Sequence, residues 1–337
     1  IMTKDAFHNA IVTASAIGAS TNAPPHINAI AKHLNVNLTL DDWEKWGENI
    51  PLLVNLQPAG EFLGEGFFHA GGVPVVMKEL LKQNKLESNT ITVSGKTISE
   101  NLQSIEKEEN IVIKDYEKPM KDKAGFLVLR SNFFDSAIMK MSVVSDEFRK
   151  RYLSNKEKPM QFTVRAIVFD GPEHYHDEIN NPDLNIDENC ILMIRGCGPI
   201  GYPGAAEVVN MQPPDHLLKK GISALPCLGD GRQSGTSESA SILNVSPEAA
   251  AGGKLSIIKN NDLINIDLIN KRVDVQINDD EIESRMKTSD FKFPENQTPW
   301  QEISRKYTGQ LSDGACIDTK ENYFDVARSK GIPRDNH

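Results

Sequence analysis

The chain has 337 residues, of which 39% are hydrophobic and 25% charged, and this composition is typical of a globular protein with room for two domains. Its net charge of -10 argues against a nucleic-acid surface, which needs clustered Lys and Arg to neutralise phosphates. No apolar run reaches the roughly 18–20 residues that span a bilayer, and the opening residues lack a signal-peptide pattern. We therefore expect neither a nucleic acid nor a membrane as a partner.

The first hundred residues contain mainly helical patterns. Thr3 is a predicted N-cap for a helix over Asp5–Ala16, in which apolar residues recur at helical spacing. The polar segment Gly18–Asn22 ends that helix, and Pro24 with Pro25 opens the next one. Thr39 is predicted to cap a third, short helix that ends near Trp46.

An apolar strand is predicted over Leu52–Leu56, and a further helix over Val73–Gln83 after a cluster of glycines. Strand and helices together are typical of an α/β layer domain. The string VSGKT at Val93–Thr97 resembles part of a phosphate-binding loop, but that motif needs a glycine where Thr90 stands. We interpret it as a tight turn that starts a helix after Thr97.

From residue 111 onward the pattern changes to short β runs. These runs are IVIKDY, GFLVLR, SAIMKMSVV, FTVRAIVF, CILMIRG and SALPCLG, followed by a hairpin-like segment with Asn270 at its turn. Many short strands separated by turn signals predict a β-barrel or sandwich. We expect a first domain over residues 1–110, a β domain over 111–300, and a C-terminal helix and tail over 301–337, with the helix near Trp300–Tyr307.

The four cysteines show no CxxC spacing, which is typical of a reduced compartment, and we expect the protein to be cytoplasmic. Cys190 begins an apolar run and is predicted to be a core residue. Cys197 lies between glycines, but one isolated thiol cannot hold an iron–sulfur cluster or a structural zinc ion.

Two glycine-rich loops are the strongest functional signal in the chain. The first, RGCGPIGYPGAAEVVNM, carries Glu207, which we expect in the first turn of a helix, where the helix dipole favours a carboxylate. The second, GDGRQSGTS, carries Ser234 on a sharply bent backbone, where adjacent amides can form an anion-binding nest. Glycines let a backbone approach a ligand closely, so the two loops together predict a site for a metal ion and a small anion.

Two alternatives stay open for the segment Gly18–Asn22. It is either a capped turn between two helices or part of the lining of an anion site, because free amides begin the helix that follows. A Ser-His-Asp triad around Ser234 is not expected, since the only later histidine is His337.

The two glycine loops resemble the dihydroxy-acid and sugar-acid dehydratase family. ASAIGASTNAPPHINAIAKHL, NLQPAGEFLGEGFFHAGGVP and NFFDSAIMKMSVV support the resemblance, which covers almost the whole chain. The forms DGRQSGTS and APPH are similar to the pentonate branch, with arabinonate- and xylonate-type enzymes, rather than the branched-chain amino-acid branch.

The resemblance implies a fold of class α/β plus β, the remainder of an α/β/α N-terminal domain followed by a C-terminal β-barrel. It implies a hydro-lyase that dehydrates a 2,3-dihydroxy sugar acid with a [2Fe–2S] cluster and Mg²⁺. Glu207 would be a Mg²⁺ ligand, Ser234 the base that takes the C2 proton, and Thr236 an assisting residue. It further implies a homo-oligomer, a dimer or tetramer.

The chain departs from the family pattern because it lacks the region that carries the cluster cysteines and the other Mg²⁺ ligands. We therefore expect the isolated chain to be inactive and to be the rear part of such an enzyme. Two alternatives remain: a branched-chain dihydroxy-acid dehydratase, or a catalytically incomplete fragment that binds a small acid or pairs with other subunits.

Overall fold

The computed structural model describes residues 1–207, 210–233, 239–318 and 323–331. In these ranges helices α1 to α12 are Lys4–Ile17, Ala23–His33, Leu40–Gly47, Gly64–His69, Gly72–Lys82, Ile98–Leu102, Asp146–Phe148, Gly171–Glu178, Asp215–Leu218, Asp279–Thr288, Pro299–Tyr307 and Tyr323–Lys330. Strands β1 to β8 are Phe126–Leu129, Ser136–Lys140, Gln161–Asp170, Cys190–Arg195, Cys227–Gly229, Ser241–Ser246, Leu263–Asp267 and Arg272–Val275. Within the described ranges, no helix combines the length and apolar character that a membrane crossing requires.

Local capping explains where the N-terminal helices begin. The Thr3 hydroxyl accepts the Ala6 N–H at 3.3 Å and starts α1, as predicted. Ahead of α3, the Asp42 carboxylate accepts the Thr39 N–H at 3.0 Å. These bonds satisfy N–H groups that have no partner inside the helix, so short polar motifs fix the helix starts.

The turn at Gly95 is followed by a helix that begins after Thr97, as the sequence predicted. The Thr97 hydroxyl accepts the Glu100 N–H at 3.2 Å, and the Glu100 carboxylate accepts the Thr97 N–H at 2.7 Å. This reciprocal pair is a capping box at the start of α6.

The eight strands form one mixed sheet in the order β1-β2-β6-β5-β4-β3-β7-β8. The central strands β3 to β6 run parallel in the pairs β3–β4, β4–β5 and β5–β6, whereas the outer pairs are antiparallel. The two edge strands meet, because Arg130 after β1 bridges Arg272 at the start of β8. Asn132 strengthens this junction with two hydrogen bonds to the Val275 backbone, at 2.9 and 3.0 Å. The sheet is therefore a nearly closed barrel, which confirms a fold of α/β plus β.

Alternate residues of the strands face two different cores. All eight strands contribute to one apolar cluster, which includes Leu127, Met139 and Val164 and fills the interior of the curled sheet. On the other face of β1, Phe126 packs edge-on against Trp43 of α3, with ring centroids 5.4 Å apart. The helical half of the chain therefore sits directly against one wall of the barrel.

Two predicted strands are absent, and one strand escaped prediction. Leu52–Leu56 was predicted as a strand, but it makes only isolated bridges, because Leu52, Val54 and Leu56 pair with three separate partners and no ladder can form. IVIKDY contributes only the bridge from Ile113 to Val54. The missed strand is β6, whose polar residues are all buried together with its apolar ones, so it lacks the alternation expected of a half-exposed strand. The C-terminal helix near Trp300–Tyr307 is confirmed as α11, while the domain limits stay predictions.

Candidate functional site

The first glycine-rich loop follows β4 and is held by two buried carboxylates from other parts of the barrel. Asp230, which is fully buried, accepts the N–H groups of Gly196 and Cys197, both at 2.9 Å, and that of Ala249 at 3.0 Å. Burial raises the pKa of the Asp230 carboxyl above its usual range, and the three backbone donors oppose that shift. The start of the loop is therefore tied to the loop that follows β5.

Glu248 holds the second half of the same loop. Its carboxylate accepts the N–H groups of Ile200 and Gly201 at 2.9 Å, and the side-chain amide of Gln310 at 3.0 Å. Burial raises the pKa of Glu248 to about 7, and the neighbouring charge of Asp230 acts in the same direction. The chain thus places two acids with perturbed pKa values behind one glycine loop, an arrangement common at functional sites.

Close approach explains why this loop is rich in glycine. A Cβ on Gly198 would lie 2.5 Å from an oxygen of Glu248, and one on Gly201 would lie 2.5 Å from the Gly196 carbonyl oxygen. Both distances are shorter than real Cβ atoms show, so a side chain at position 198 would collide with Glu248 and one at position 201 with the backbone of the loop itself.

Glu207 lies at the end of this loop, exposed, and not in a helix as the sequence predicted. Gly204 and Ala205 before it have positive φ values of 94° and 44°, and the Glu207 backbone bridges that of Arg232. A backbone that pairs in a β-bridge is extended, so Glu207 does not stand in the first turn of a helix. The carboxylate accepts a hydrogen bond from the Asn22 amide.

Arg232 joins the two glycine loops to the helical half. Its guanidinium donates to the Ala205 carbonyl oxygen at 2.6 Å, and it lies 3.1 Å from the His26 ring nitrogen. Next to it is a cleft of about 190 Å³. Its lining includes His26, Ala205, Arg232 and Thr308, the residue that directly follows α11. Three segments that are far apart in sequence therefore meet around Glu207.

The segment Gly18–Asn22 is a capped turn, which is one of the two interpretations left open, while its lining of an anion site stays a prediction. Gly18 has φ 71° and caps α1, because its N–H bonds the carbonyl oxygens of Ala14 and Ser15. Asn22 precedes α2 but makes no side-chain cap bond, and its amide points to Glu207 instead. The segment is a capped turn that also forms one wall of the site.

Ser234 and Thr236, the two predicted catalytic residues, lie outside the described residues. Gln233, just before them, is 2% exposed, and both polar atoms of its side chain are buried without a hydrogen-bond partner among the described residues. Arg232 belongs to the same loop and bridges Glu207. Their roles stay predictions.

The four cysteines do not form a cluster site. All are buried with free thiols, and burial raises the pKa of Cys190 to about 11 and that of Cys227 to about 12. Burial also raises the pKa values of Cys197 and Cys316. Among the described residues, no three His, Cys, Asp or Glu side chains gather closely enough to hold a metal ion.

Sequence reasoning missed Asp230 and Glu248 as parts of this site, and it placed Asn22 only within a segment with two open interpretations. The available signal was the acid between two glycines in GDGR, because a carboxylate in a tight glycine turn faces several backbone N–H groups. Nothing near Glu248 in sequence indicates that its partners lie 47 and 48 residues earlier in the chain.

Known proteins resemble the chain along its whole length. The family model described as dihydroxy-acid/6-phosphogluconate dehydratase, C-terminal, matches residues 111–315, and the corresponding N-terminal model matches residues 1–101. A D-xylonate dehydratase of Caulobacter vibrioides is 55% identical over 337 residues, which are 100% of this chain and 56% of that protein.

Two more distant relatives follow the same pattern. An L-arabinonate dehydratase of Rhizobium leguminosarum is 38% identical over 338 residues, covering 100% of this chain and 56% of the relative. A dihydroxy-acid dehydratase of Acetivibrio thermocellus is 36% identical over 314 residues, which are 93% of this chain and 53% of that relative. The chain therefore spans about half the length of the curated relatives it matches.

Removing the Glu248 carboxylate should destabilise the protein. We expect Glu248→Ala to lower the free energy of unfolding by about 2–4 kcal/mol, because two buried backbone N–H groups and the Gln310 amide lose their acceptor. Urea denaturation measures the change. Glu283→Ala, at an exposed position of α10, is the matched control and should change the stability by less than about 0.5 kcal/mol. An unchanged midpoint for Glu248→Ala would contradict the bracing role of this carboxylate.

Proposed function

Since the chain belongs to the dihydroxy-acid/6-phosphogluconate dehydratase family, we propose that the complete protein is a hydro-lyase acting on a sugar acid. Its substrate is a 2,3-dihydroxy acid, a pentonate, and its product is the 2-keto-3-deoxy acid. Similarity supports this choice, because the xylonate and arabinonate dehydratases are 55% and 38% identical to the chain, against 36% for the dihydroxy-acid dehydratase.

One observation in the structure carries the proposal. The backbone of Glu207, at the end of the first glycine loop, bridges that of Arg232 in the second, and its side chain meets Asn22 of the helical half. Ser234 follows Arg232 by two residues in sequence. A carboxylate and the predicted base therefore belong to loops that are joined to each other.

The described residues fit a Mg²⁺ ion only in part. Glu207 supplies one hard oxygen ligand, the type that Mg²⁺ prefers, and Asn22 holds its carboxylate in place. We propose that Glu207 is one Mg²⁺ ligand of the complete protein. When bound, the ion would stabilise the negative charge that develops on the substrate as the C2 proton leaves.

The described residues do not fit an iron–sulfur cluster, because a cluster needs several thiolates side by side and no three Cys or other ligating side chains gather among them. If the complete protein carries the [2Fe–2S] cluster that the resemblance implies, we propose that its ligands come from outside this chain. A cytoplasmic location and a homo-oligomeric state likewise remain proposals.

In the proposed mechanism, Ser234 takes the C2 proton, the C3 hydroxyl leaves as hydroxide, and the abstracted proton joins it to form water. The enol that results converts to the keto acid without further catalysis. A serine hydroxyl is a weak base, so it needs nearby amides and positive charge to lower its pKa. Arg232 lies two residues away with its guanidinium on the Ala205 carbonyl oxygen, where it contributes positive charge to the loop. Thr236 would position the substrate.

A substrate comparison tests the function of the complete protein. We expect dehydration of pentonates, measured as the formation of 2-keto-3-deoxy acid, at a kcat/KM well above that for 2,3-dihydroxyisovalerate. The opposite order would favour the branched-chain dihydroxy-acid dehydratase. Binding of pentonates without dehydration would favour the small-acid-binding module.

Ser234→Ala should lower kcat by about 10²–10⁴-fold, because it removes the proposed proton acceptor. The affinity for a substrate analogue and the visible absorption spectrum should stay unchanged. Ser237→Ala, a hydroxyl in the same stretch of sequence, is the matched control and should keep most of the activity. Retained turnover in Ser234→Ala would rule out its role as the base.

Glu207→Gln should raise the Mg²⁺ concentration needed for half-maximal activity by about tenfold or more, because a neutral amide oxygen binds Mg²⁺ more weakly than a carboxylate. The glutamine keeps an acceptor for the Asn22 amide, so the loop should stay in place. Glu302→Gln, at an exposed position of α11, serves as the control. An unchanged magnesium titration would count against Glu207 as a ligand.

A further inference from the structure

Lys140 is a buried lysine with almost no compensation for its charge. It ends β2, its residue is 4% exposed, and among the described residues its ammonium donates a single hydrogen bond, to the Gly18 carbonyl oxygen at 3.1 Å. Desolvation lowers its pKa to about 8, and within the described ranges no carboxylate pairs with it. An ammonium group has three N–H donors, so two of them are left for another acceptor.

Two other barrel residues next to the segment Gly18–Asn22 also carry polar atoms without a partner among the described residues. The hydroxyl of Ser142 is buried without a hydrogen bond among the described residues, and a Cβ on Gly18 would lie 3.3 Å from it. Asn244 donates to the Thr21 carbonyl oxygen at 3.1 Å, while its own side-chain oxygen is buried and unpaired within the same ranges. Buried polar groups are normally hydrogen-bonded, so a concentration of unpaired ones indicates a binding site for a polar ligand.

The segment Gly18–Asn22 connects this region to Glu207. Lys140 bonds its first residue and Glu207 accepts from its last, and four peptide steps span at most about 14 Å even when fully extended. In the sheet, Met139 pairs with Ile242, so Lys140 stands level with Ser241 at the start of β6. The lysine and the proposed Mg²⁺ ligand therefore border the same short wall of the site.

We propose that Lys140 binds the carboxylate of the substrate. This inference rests on the proposed function, since a sugar acid carries one carboxylate at one end of a chain of hydroxyls. The carboxylate would receive the two free ammonium donors and act as the missing counterion. Substrate hydroxyls would pair with the Ser142 hydroxyl and the Asn244 side-chain oxygen. A buried charge without a partner is costly, so an incoming anion gains more here than at the protein surface.

A pair of ligands that differ only in charge tests this assignment in the complete protein. The probes are 3-deoxypentonate, which lacks the leaving hydroxyl and cannot turn over, and its neutral amide. Isothermal titration gives the Kd of each for wild type and for Lys140→Met. We expect the variant to raise the Kd of the acid by about 10- to 100-fold and that of the amide by less than about threefold. A contribution of bound Mg²⁺ is common to wild type and variant and cancels in the comparison.

Two further variants separate binding from structure. Lys140→Arg keeps the charge and should retain most of the preference for the acid. Lys78→Met is the matched control, because Lys78 of α5 also donates to a backbone carbonyl oxygen, that of Leu102 at 2.8 Å, and neither residue belongs to the proposed site, so both Kd values should stay unchanged. If Lys140→Met fails to fold, Lys140→Gln, which keeps a donor for Gly18, takes its place in the comparison.

The outcomes distinguish this inference from the proposed function. Equal Kd values for acid and amide in wild type, or an unaltered preference for the acid in the Lys140 variants without charge, would overturn the role of Lys140. A wild-type protein that neither binds nor dehydrates pentonates would instead overturn the proposed substrate. Loss of the acid preference in an enzyme that dehydrates pentonates supports both.

Discussion

The candidate site depends on two carboxylates that the fold buries in order to hold a loop of glycines. A glycine-rich loop has no side chains with which to anchor itself, so its position must be fixed from outside. Asp230 and Glu248 do this by accepting backbone N–H groups at both ends of the loop. Burying a carboxylate is unfavourable unless it is well hydrogen-bonded, and here the loop itself supplies the donors. The acids and the loop therefore stabilise each other. Glu207 lies at the end of this loop, so its position depends on the same hydrogen bonds.

Local interactions are the part of the fold that the sequence predicts well. The starts of α1, α3 and α6 follow from Thr3, Thr39 and Thr97, because each cap involves residues no more than three positions apart. The strand prediction at Leu52–Leu56 failed because apolar character shows only that a segment is buried. Whether a buried extended segment forms a ladder depends on its partners, and here they come from separate segments.

The site was predicted to the level of its loops but not of its contacts. Glycine spacing located both loops, yet the β-bridge between Glu207 and Arg232, which stands in place of the predicted helix, joins residues 25 positions apart and is not visible in the residue pattern. Asp230 and Glu248 could not be ranked above other acids from sequence, because their burial arises from strands that meet only in the folded barrel. Asn22 is a common helix-start residue, and only the structure shows that it bonds Glu207 instead.

The polar interior at this site follows from how the two halves of the chain meet. Where the helical half covers β1, it does so with apolar contacts such as Trp43 on Phe126. Where the segment Gly18–Asn22 reaches the barrel, the contacts are made by backbone carbonyl oxygens instead of apolar side chains. Lys140 and Asn244 of the barrel donate hydrogen bonds to these oxygens. A turn between two helices exposes such groups of necessity, because they lie outside both helices. The carbonyl oxygens of this turn need hydrogen-bond donors from the barrel, so the two halves meet through polar groups. Among the described residues, some of these polar groups have no partner, which fits the proposed ligand with its hydroxyls and one carboxylate.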